Sequence, residues 1–276
     1  MKLTFIGGGN MATALIGGLL KRGWAPHDLR VVEIDARSRE RLDRDFGIPI
    51  HADIAAGVNR VDGIVLAVKP QHMREVARAL APVVENALVV SIAAGIRVGD
   101  LSRWLGGHQR IVRAMPNTPA LALAGMTGLY APKSVSESDR SQAEQILAAA
   151  GSTLWVDSED RIDGVTAVSG SGPGYVFYFI ESLQKAAAEL GFDEEAARRL
   201  ALETFKGAAK LADESTDSAA TLRSRVTSKG GTTERALSEL EKAGVGEAIV
   251  RAVHAAAQRS RELGDALGKD EPDRNG

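Results

Sequence analysis

A glycine-rich segment near the amino terminus has the residue spacing of a phosphate-binding turn. Gly7, Gly9 and Ala12 follow an apolar run, Lys2–Ile6, and a helical pattern begins at Met11. Glycines allow a tight turn and let a pyrophosphate approach the backbone, and the helix offers unpaired N–H groups. A plain glycine-rich turn is the alternative, which the neighbouring strand and helix disfavour. The segment therefore predicts a dinucleotide site.

Charged residues of both signs stand at the end of the next predicted strand, where such folds bind the adenosine ribose. An acidic side chain there holds the ribose 2′-hydroxyl of NAD, whereas an arginine accommodates the 2′-phosphate of NADP. Glu33 and Asp35 favour NAD, and Arg37 and Arg39 favour NADP. The alternative is that these charges only solvate a strand end. The sequence leaves the choice between NADH and NADPH open.

A lysine stands at the carboxyl end of another apolar run. Ala67 and Val68 end the run, Lys69 follows, and Pro70 stops the strand. Ligands of open α/β sheets bind at this edge, which makes Lys69 a candidate contact. A lone lysine is otherwise a solvated surface charge.

Two prolines bracket an amide and a hydroxyl further along the chain. Pro116 and Pro119 restrict the backbone around Asn117 and Thr118. A rigid loop of this kind suits the orientation of a nicotinamide or of a small substrate. A structural turn is the alternative and fits the spacing equally well.

The segment Ser228–Thr233 contains two glycines and two threonines directly before a helical pattern. The N–H groups at the start of a helix form a ready site for a carboxylate. Thr232 or Thr233 could also be the N-cap of that helix, and the two interpretations are compatible.

Composition excludes several other classes of protein. The chain has no cysteine, and no Ser-His-Asp, H-E-x-x-H or paired-carboxylate arrangement stands out, so we predict no metal site. A net charge of −2 argues against nucleic-acid binding. No apolar stretch reaches the roughly 18 residues of a membrane span. The chain begins directly with a predicted strand, and we expect a cytoplasmic location.

The elements that position these residues follow from hydrophobic periodicity. Apolar strands alternate with amphipathic helices in the first part of the chain, which predicts an α/β fold with a doubly wound, mostly parallel Rossmann sheet. The predicted strands are Lys2–Ile6, Arg30–Ile34, Gly63–Val68, Ala87–Ile92, Arg110–Arg113, Met126–Tyr130 and Thr153–Val156. We predict a cofactor-binding domain over residues 1–157 and an all-α substrate and dimerisation domain over 158–276. The helix Pro173–Leu190 is apolar on nearly all sides at its start, which suggests cover from a partner subunit.

Six segments together resemble the pyrroline-5-carboxylate reductase family, in the family's order and across nearly the whole chain. These segments are Phe5–Met11, Ala67–Pro70, Ser91–Gly95, Arg113–Ala120, Val168–Pro173 and Gly230–Thr233. The resemblance implies reduction of 1-pyrroline-5-carboxylate to L-proline by NADH or NADPH, the last step of proline biosynthesis. It also implies a homodimer through the helical domain, often assembled into a larger ring such as a decamer.

The resemblance and the spacing assign a role to each candidate residue. The cofactor candidates are Ile6, Gly7, Gly8, Gly9, Asn10, Met11, Glu33, Asp35, Arg37, Ala67, Val68, Lys69, Pro70, Ala93 and Asn117. The substrate candidates are Ser228, Gly231, Thr232 and Thr233. The family implies that the Thr232 and Thr233 amides hold the substrate carboxylate, and that the Thr233 hydroxyl, the catalytic candidate, lies beside the ring nitrogen. Lys229 departs from the proline common in the family, and Glu33 departs from the small polar residues of NADP-preferring members.

Two other functions compete with imine reduction. A β-hydroxyacid dehydrogenase has the same two-domain plan but places a lysine early in the first long helix, where this chain has Tyr175–Tyr178 and reaches Lys185 too late. A non-catalytic NAD(P)H sensor would leave the Asn117 loop and the Ser228–Thr233 segment without a purpose.

Overall fold

The computed structural model describes residues 1–269, which contain one eight-stranded sheet. The strands are β1 Leu3–Ile6, β2 Leu29–Val32, β3 Ile50–His51, β4 Gly63–Leu66, β5 Leu88–Ser91, β6 Ile111–Met115, β7 Gly125–Tyr130 and β8 Gly151–Trp155. Their order is β3-β2-β1-β4-β5-β6-β7-β8. Strands β1 to β6 are parallel, and β7 runs antiparallel to β6 and parallel to β8. The predicted doubly wound, mostly parallel sheet is confirmed.

Helices connect the strands and then continue alone. They are α1 Asn10–Lys21, α2 Ala36–Phe46, α3 Ile54–Gly57, α4 Met73–Leu80, α5 Val98–Trp104, α6 Glu137–Ala148, α7 Arg161–Val165, α8 Gly172–Glu189, α9 Glu194–Asp213, α10 Ala219–Arg225, α11 Thr232–Lys242 and α12 Val245–Leu267. A π-helical turn, Thr166–Gly170, joins α7 to α8. Among residues 1–269, no helix is long and apolar enough to cross a lipid bilayer.

The central strands are buried on both faces, which explains their continuous apolar runs. Every residue of β1, β4 and β5 is buried. Side chains alternate between the faces of a strand, so neighbouring residues enter different cores. Phe5 and Val65 belong to one hydrophobic cluster, whereas Ile6, Ile64 and Leu66 belong to the other. The two faces of the sheet therefore each pack in a hydrophobic cluster of their own.

The sequence-based prediction missed the outermost strand and two short helices, α3 and α7, of which α3 adjoins that strand. Strand β3 is a single half-buried pair of residues, and α3 spans one turn that Asp53 caps by accepting from the Ala56 N–H at 2.9 Å. Neither element is long enough to show hydrophobic periodicity. Both elements are nevertheless important, because they flank β2 at the outer edge of the sheet.

The described residues divide into two compact units. One contains Met1–Ser171 and the chain from Ala256 onward, and the other contains Gly172–Ala255. The predicted limits, 1–157 and 158–276, differ from these two units. The reason is that α7, the first helix after β8, still belongs to the first unit. Ile162 of α7 is buried in the first unit, and the Ser260 hydroxyl donates to Asp163 Oδ1 at 2.6 Å. Residues 270–276 of the predicted second domain lie outside the described residues.

The helical unit leaves much apolar surface uncovered. Phe177 and Tyr178, on α8, are 62% and 69% exposed. Helices α8, α11 and α12 also line an apolar cavity of about 640 Å³. Small buried residues, Ala187 on α8 and Ala197 and Ala201 on α9, make the packing of these two helices close. The predicted helices thus form, but their packing against each other leaves apolar side chains at the start of α8 exposed.

Candidate functional site

The backbone of the glycine-rich turn requires glycine at its first position. Gly7 has φ of +98°, and its N–H donates to the Val32 carbonyl at 2.8 Å. A Cβ atom at Gly7 would lie 2.8 Å from the carbonyl oxygen of Ala67. The turn therefore passes close to the ends of β2 and β4, and a side chain would separate them.

The next part of the turn leaves space for a ligand. Gly9 is the N-cap of α1, no side chain caps this helix, and a Cβ atom at Gly9 would meet nothing within 4 Å. The first N–H groups of a helix have no partner within it. Open space in front of these donors fits a pyrophosphate, which carries the charge that a helix N-terminus favours.

Glu33 links the glycine-rich turn to the end of β2. Its Oε2 accepts a hydrogen bond from the Gly8 N–H at 2.8 Å, and its Oε1 accepts one from the Asp35 N–H at 2.9 Å. Asp35 has a different task, because it caps α2 by accepting from the Ser38 N–H at 2.8 Å. Hydrogen bonds from Ser38 lower the pKa of Asp35 below its ordinary value. The carboxylate of Glu33, which two backbone N–H groups hold, therefore lies beside the glycine-rich turn.

Of the two arginines that favour NADP in the sequence, Arg39 bonds backbone carbonyls and Arg37 lies on the exposed surface. Arg39 Nη1 donates to the carbonyls of Glu33 and Ile34, at 3.0 and 2.7 Å. Arg41 Nη2 donates to the Gly8 carbonyl at 3.0 Å. Arg37 lies on the exposed first turn of α2. Arg39 thus braces the backbone that carries Glu33, and Arg41 braces the glycine-rich turn.

A cavity of about 750 Å³ opens at this edge of the sheet. It brings together nine of the predicted cofactor residues: Ile6, Gly7, Gly8, Gly9, Glu33, Asp35, Ala67, Val68 and Lys69. The predicted residues that do not line it are Asn10, Met11, Arg37, Pro70, Ala93 and Asn117. Within the described chain, the fold thus gathers most of the predicted contacts around the glycine-rich turn, and the individual roles stay predictions.

Several lining residues were absent from the sequence-based set. Ala52, Asp53 and Ile54 line the cavity from the segment that follows β3, and His72 and Glu75 line it from the segment after β4. The unrecognised strand β3 explains the first group. The Pro70 signal that ends β4 could have indicated the second, because residues just after a strand reach the same edge as its last residue.

The side chain of Asn117 makes its hydrogen bonds inside the protein. Its Oδ1 accepts from the Met126 N–H at 2.9 Å, and its Nδ2 lies 3.2 Å from both the carbonyl and the hydroxyl oxygen of Ser169. The neighbouring Pro116 is buried. The amide thus ties the loop after β6 to the strand β7 and to the π-helical turn, and any contact of Asn117 with a nicotinamide stays a prediction.

The predicted carboxylate site begins α11 in the helical unit. Gly230 has φ of +71°, and its N–H donates to Glu234 Oε2 at 2.6 Å. The N-cap is Gly231, which rules out the alternative of a threonine cap, and no side chain caps the helix. Thr232 and Thr233 are therefore its first residues, with N–H groups that have no partner in the helix.

The loop before α11 is compact. The Gly231 N–H donates to the Ser228 carbonyl at 3.0 Å, and a Cβ atom at Gly231 would lie 2.5 Å from the Ser228 hydroxyl oxygen. The side chains of Ser228, Lys229 and Thr232 are exposed, and Thr233 is half-buried. The four predicted substrate residues, Ser228, Gly231, Thr232 and Thr233, thus lie together at one helix end, and their roles stay predictions.

Comparisons with known proteins show which family this chain resembles. A family model described as pyrroline-5-carboxylate reductase dimerisation matches residues 159–263, and one described as NADP oxidoreductase coenzyme F420-dependent matches residues 2–95. A pyrroline-5-carboxylate reductase of Pseudomonas aeruginosa is 45% identical over 269 residues, which cover 97% of this chain and 98% of the relative.

Several solved structures are also similar to this chain. A pyrroline-5-carboxylate reductase from Coxiella burnetii superposes with a TM-score of 0.90 at 40% identity, covering 95% of this chain and 98% of that one. A pyrroline carboxylate reductase from Plasmodium falciparum, solved with NADP bound, has a TM-score of 0.86 at 30% identity and covers 96% and 98%. A prephenate dehydrogenase from Aquifex aeolicus, at 17% identity and a TM-score of 0.54, shares the fold alone. This chain belongs to the pyrroline-5-carboxylate reductase family.

Proposed function

We propose that this chain reduces 1-pyrroline-5-carboxylate to L-proline with NADH or NADPH, the last step of proline biosynthesis. The observation that carries the proposal is the open, uncapped N-terminus of α1 behind Gly9, at the edge of a cavity that the predicted cofactor residues line. Full-length similarity to pyrroline-5-carboxylate reductases supports the same substrate.

The first unit holds the dinucleotide in this proposal. The N–H groups at the start of α1 bind the pyrophosphate, and the glycines let it approach the backbone. The cofactor supplies the hydride, and the protein supplies binding, orientation and electrostatics. Glu33 and Asp35 lie where the adenosine ribose binds in such folds.

The start of α11 holds the substrate carboxylate. The N–H groups of Thr232 and Thr233 are donors at the positive end of a helix dipole, which favours a negative charge. Gly231 has no side chain to obstruct them. The Thr233 hydroxyl bonds the ring nitrogen of the imine. A protonated cyclic imine is already a strong electrophile, so a hydroxyl that orients the ring suffices and no strong general acid is required.

The competing functions fit less well. The stretch Tyr175–Tyr178 at the start of α8 has no lysine where a β-hydroxyacid dehydrogenase would place one. A sensor without activity would not need the uncapped start of α11. Family membership also favours the reductase over both alternatives.

The proposed activity is tested by the oxidation of NADH and NADPH in the presence of 1-pyrroline-5-carboxylate. We expect Thr233→Ala to lower kcat about tenfold, the value of one net hydrogen bond, and Thr233→Ser to restore most of it. Thermal unfolding of both variants serves as the control for folding. Absence of turnover by the unchanged protein with either cofactor across a range of pH would refute the function, and full activity of Thr233→Ala would refute only the role of Thr233.

The chain's partner, in this proposal, is a second copy bound through the helical unit. The exposed apolar residues at the start of α8 and the family's dimerisation model support an oligomer. We expect a dimer or a larger species, such as a decamer, in sedimentation velocity, and Phe177→Glu should shift the distribution toward smaller species. A stable monomer of the unchanged protein would contradict the proposal. A cytoplasmic location is likewise proposed.

A further inference from the structure

We infer that Glu33 makes this chain select NADH over NADPH, because it holds a fixed negative charge where the 2′-phosphate of NADPH would bind. The inference rests on the cofactor-binding part of the proposed function and deepens it. Glu33 acts on the binding of the dinucleotide alone, whatever imine the chain reduces.

The position of Glu33 is the first support. It directly follows β2, and its Oε2 lies 2.8 Å from the Gly8 nitrogen in the glycine-rich turn. In Rossmann folds an acidic residue at this place bonds the ribose 2′-hydroxyl, since the pyrophosphate is held at the adjacent turn. Glu33 also lines the cavity at this edge of the sheet.

The hydrogen bonds of Glu33 fix its carboxylate but do not saturate it. A carboxylate has about four acceptor positions. The N–H groups of Gly8 and Asp35 take one position on each oxygen, at 2.8 and 2.9 Å. One position on each oxygen is therefore left, which suits the neighbouring hydroxyls of a ribose.

The same fixed carboxylate opposes a phosphate. A 2′-phosphate is an acceptor with about −1.5 to −2 charges near neutral pH, so it repels the carboxylate and offers it no donor. Glu33 cannot turn away without leaving the Gly8 and Asp35 N–H groups without an acceptor. Asp35 and Asp53 line the cavity as well and add negative charge nearby.

The basic residues of the region do not compensate at this place. Arg39 and Arg41 each donate to backbone carbonyls, and Arg37 is exposed outside the lining. Lys69 lines the cavity but follows β4, on the other side of β1 from β2. Removal of the Glu33 carboxylate would nevertheless remove its repulsion of a phosphate, so NADPH binding should then tighten.

The test compares the binding of NADH and NADPH, measured by titration calorimetry or by nicotinamide fluorescence without imine present. We expect the unchanged protein to bind NADH at least about tenfold tighter than NADPH. Glu33→Gln should reduce this ratio by about tenfold or more, and should do so partly by tightening NADPH binding. Glu33→Asp, which keeps the charge, should retain a preference for NADH.

Glu40→Gln is the matched control, because it makes the same change of charge on the exposed surface of α2 outside the cavity lining. It should leave the ratio unchanged. Thermal unfolding reports whether Glu33→Gln still folds, and Glu33→Asp tests the inference if it does not. Equal or tighter binding of NADPH by the unchanged protein, or an unchanged ratio in Glu33→Gln, would overturn the inference. Failure to bind either dinucleotide would instead refute the proposed function.

Discussion

Alanine in place of Gly7 should lower the affinity for NADH more than about 100-fold and also destabilise the folded chain. The φ of +98° at Gly7 is unfavourable for any residue with a Cβ atom, at a cost of roughly 1–2 kcal/mol. The added Cβ would also lie 2.8 Å from the Ala67 carbonyl oxygen, and this backbone atom directly follows the buried strand β4. The turn must therefore move, and its phosphate-binding geometry is lost with it.

Gly9→Ala is the informative counterpart. Gly9 has φ of −72°, which alanine adopts, and its Cβ would meet no atom within 4 Å. We expect normal thermal stability but weaker binding of NADH, since the methyl group would occupy the space proposed for the pyrophosphate. Calorimetric titration and thermal unfolding of both variants distinguish the two effects. Unchanged NADH affinity in Gly9→Ala would show that the dinucleotide does not pass there.

Arg113→Met is expected to reduce the free energy of unfolding by about 3–5 kcal/mol. The side chain of Arg113 is only 3% exposed, and its Nη1 lies 3.0 Å from Glu159 Oε1. Its Nη2 lies 4.0 Å from Oδ1 of Asp163, which the Ser260 hydroxyl also contacts. Removal of the guanidinium leaves these carboxylates at low exposure without their cation, and this is much more costly than the loss of an exposed pair.

Arg259→Met is the control for this prediction. Arg259 and Glu262 form an ion pair on α12 at 3.2 Å, but their side chains are 67% and 49% exposed. Such pairs contribute about 0–1 kcal/mol. Urea unfolding of both variants at the same pH measures the difference. A loss below about 1 kcal/mol in Arg113→Met would show that water or rearrangement compensates the carboxylates.

The position of Arg113 also connects stability to the candidate site. Arg113 lies in β6, which leads directly to the loop that Asn117 ties to Met126 and Ser169. The buried ion pair thus anchors this strand to α7 and, through Asp163 and Ser260, to the end of α12. The sequence indicated the loop by its two prolines but contained no sign that Arg113 is buried.

Local patterns in the sequence were enough for most of the fold. Runs such as Ile64–Leu66 are apolar at every residue, which is typical of a strand buried on both faces, and the glycine spacing from Gly7 to Gly9 indicates the turn between β1 and α1. The boundaries of the predicted strands differ from the observed ones by a few residues at most. Among the strands and α-helices, β3, α3 and α7 escaped, because elements of one turn or one residue pair carry no period.

Contacts between residues distant in sequence had to come from the tertiary structure. Packing alone brings Glu33 to the Gly8 N–H, engages the Asn117 amide with Ser169, and unites the end of α12 with the sheet through Ser260 and Asp163. The sequence shows which side chains reach the edge of the sheet, because an apolar run marks where each strand ends. It does not show which donors each side chain satisfies, because that depends on atoms that approach only when the chain is folded.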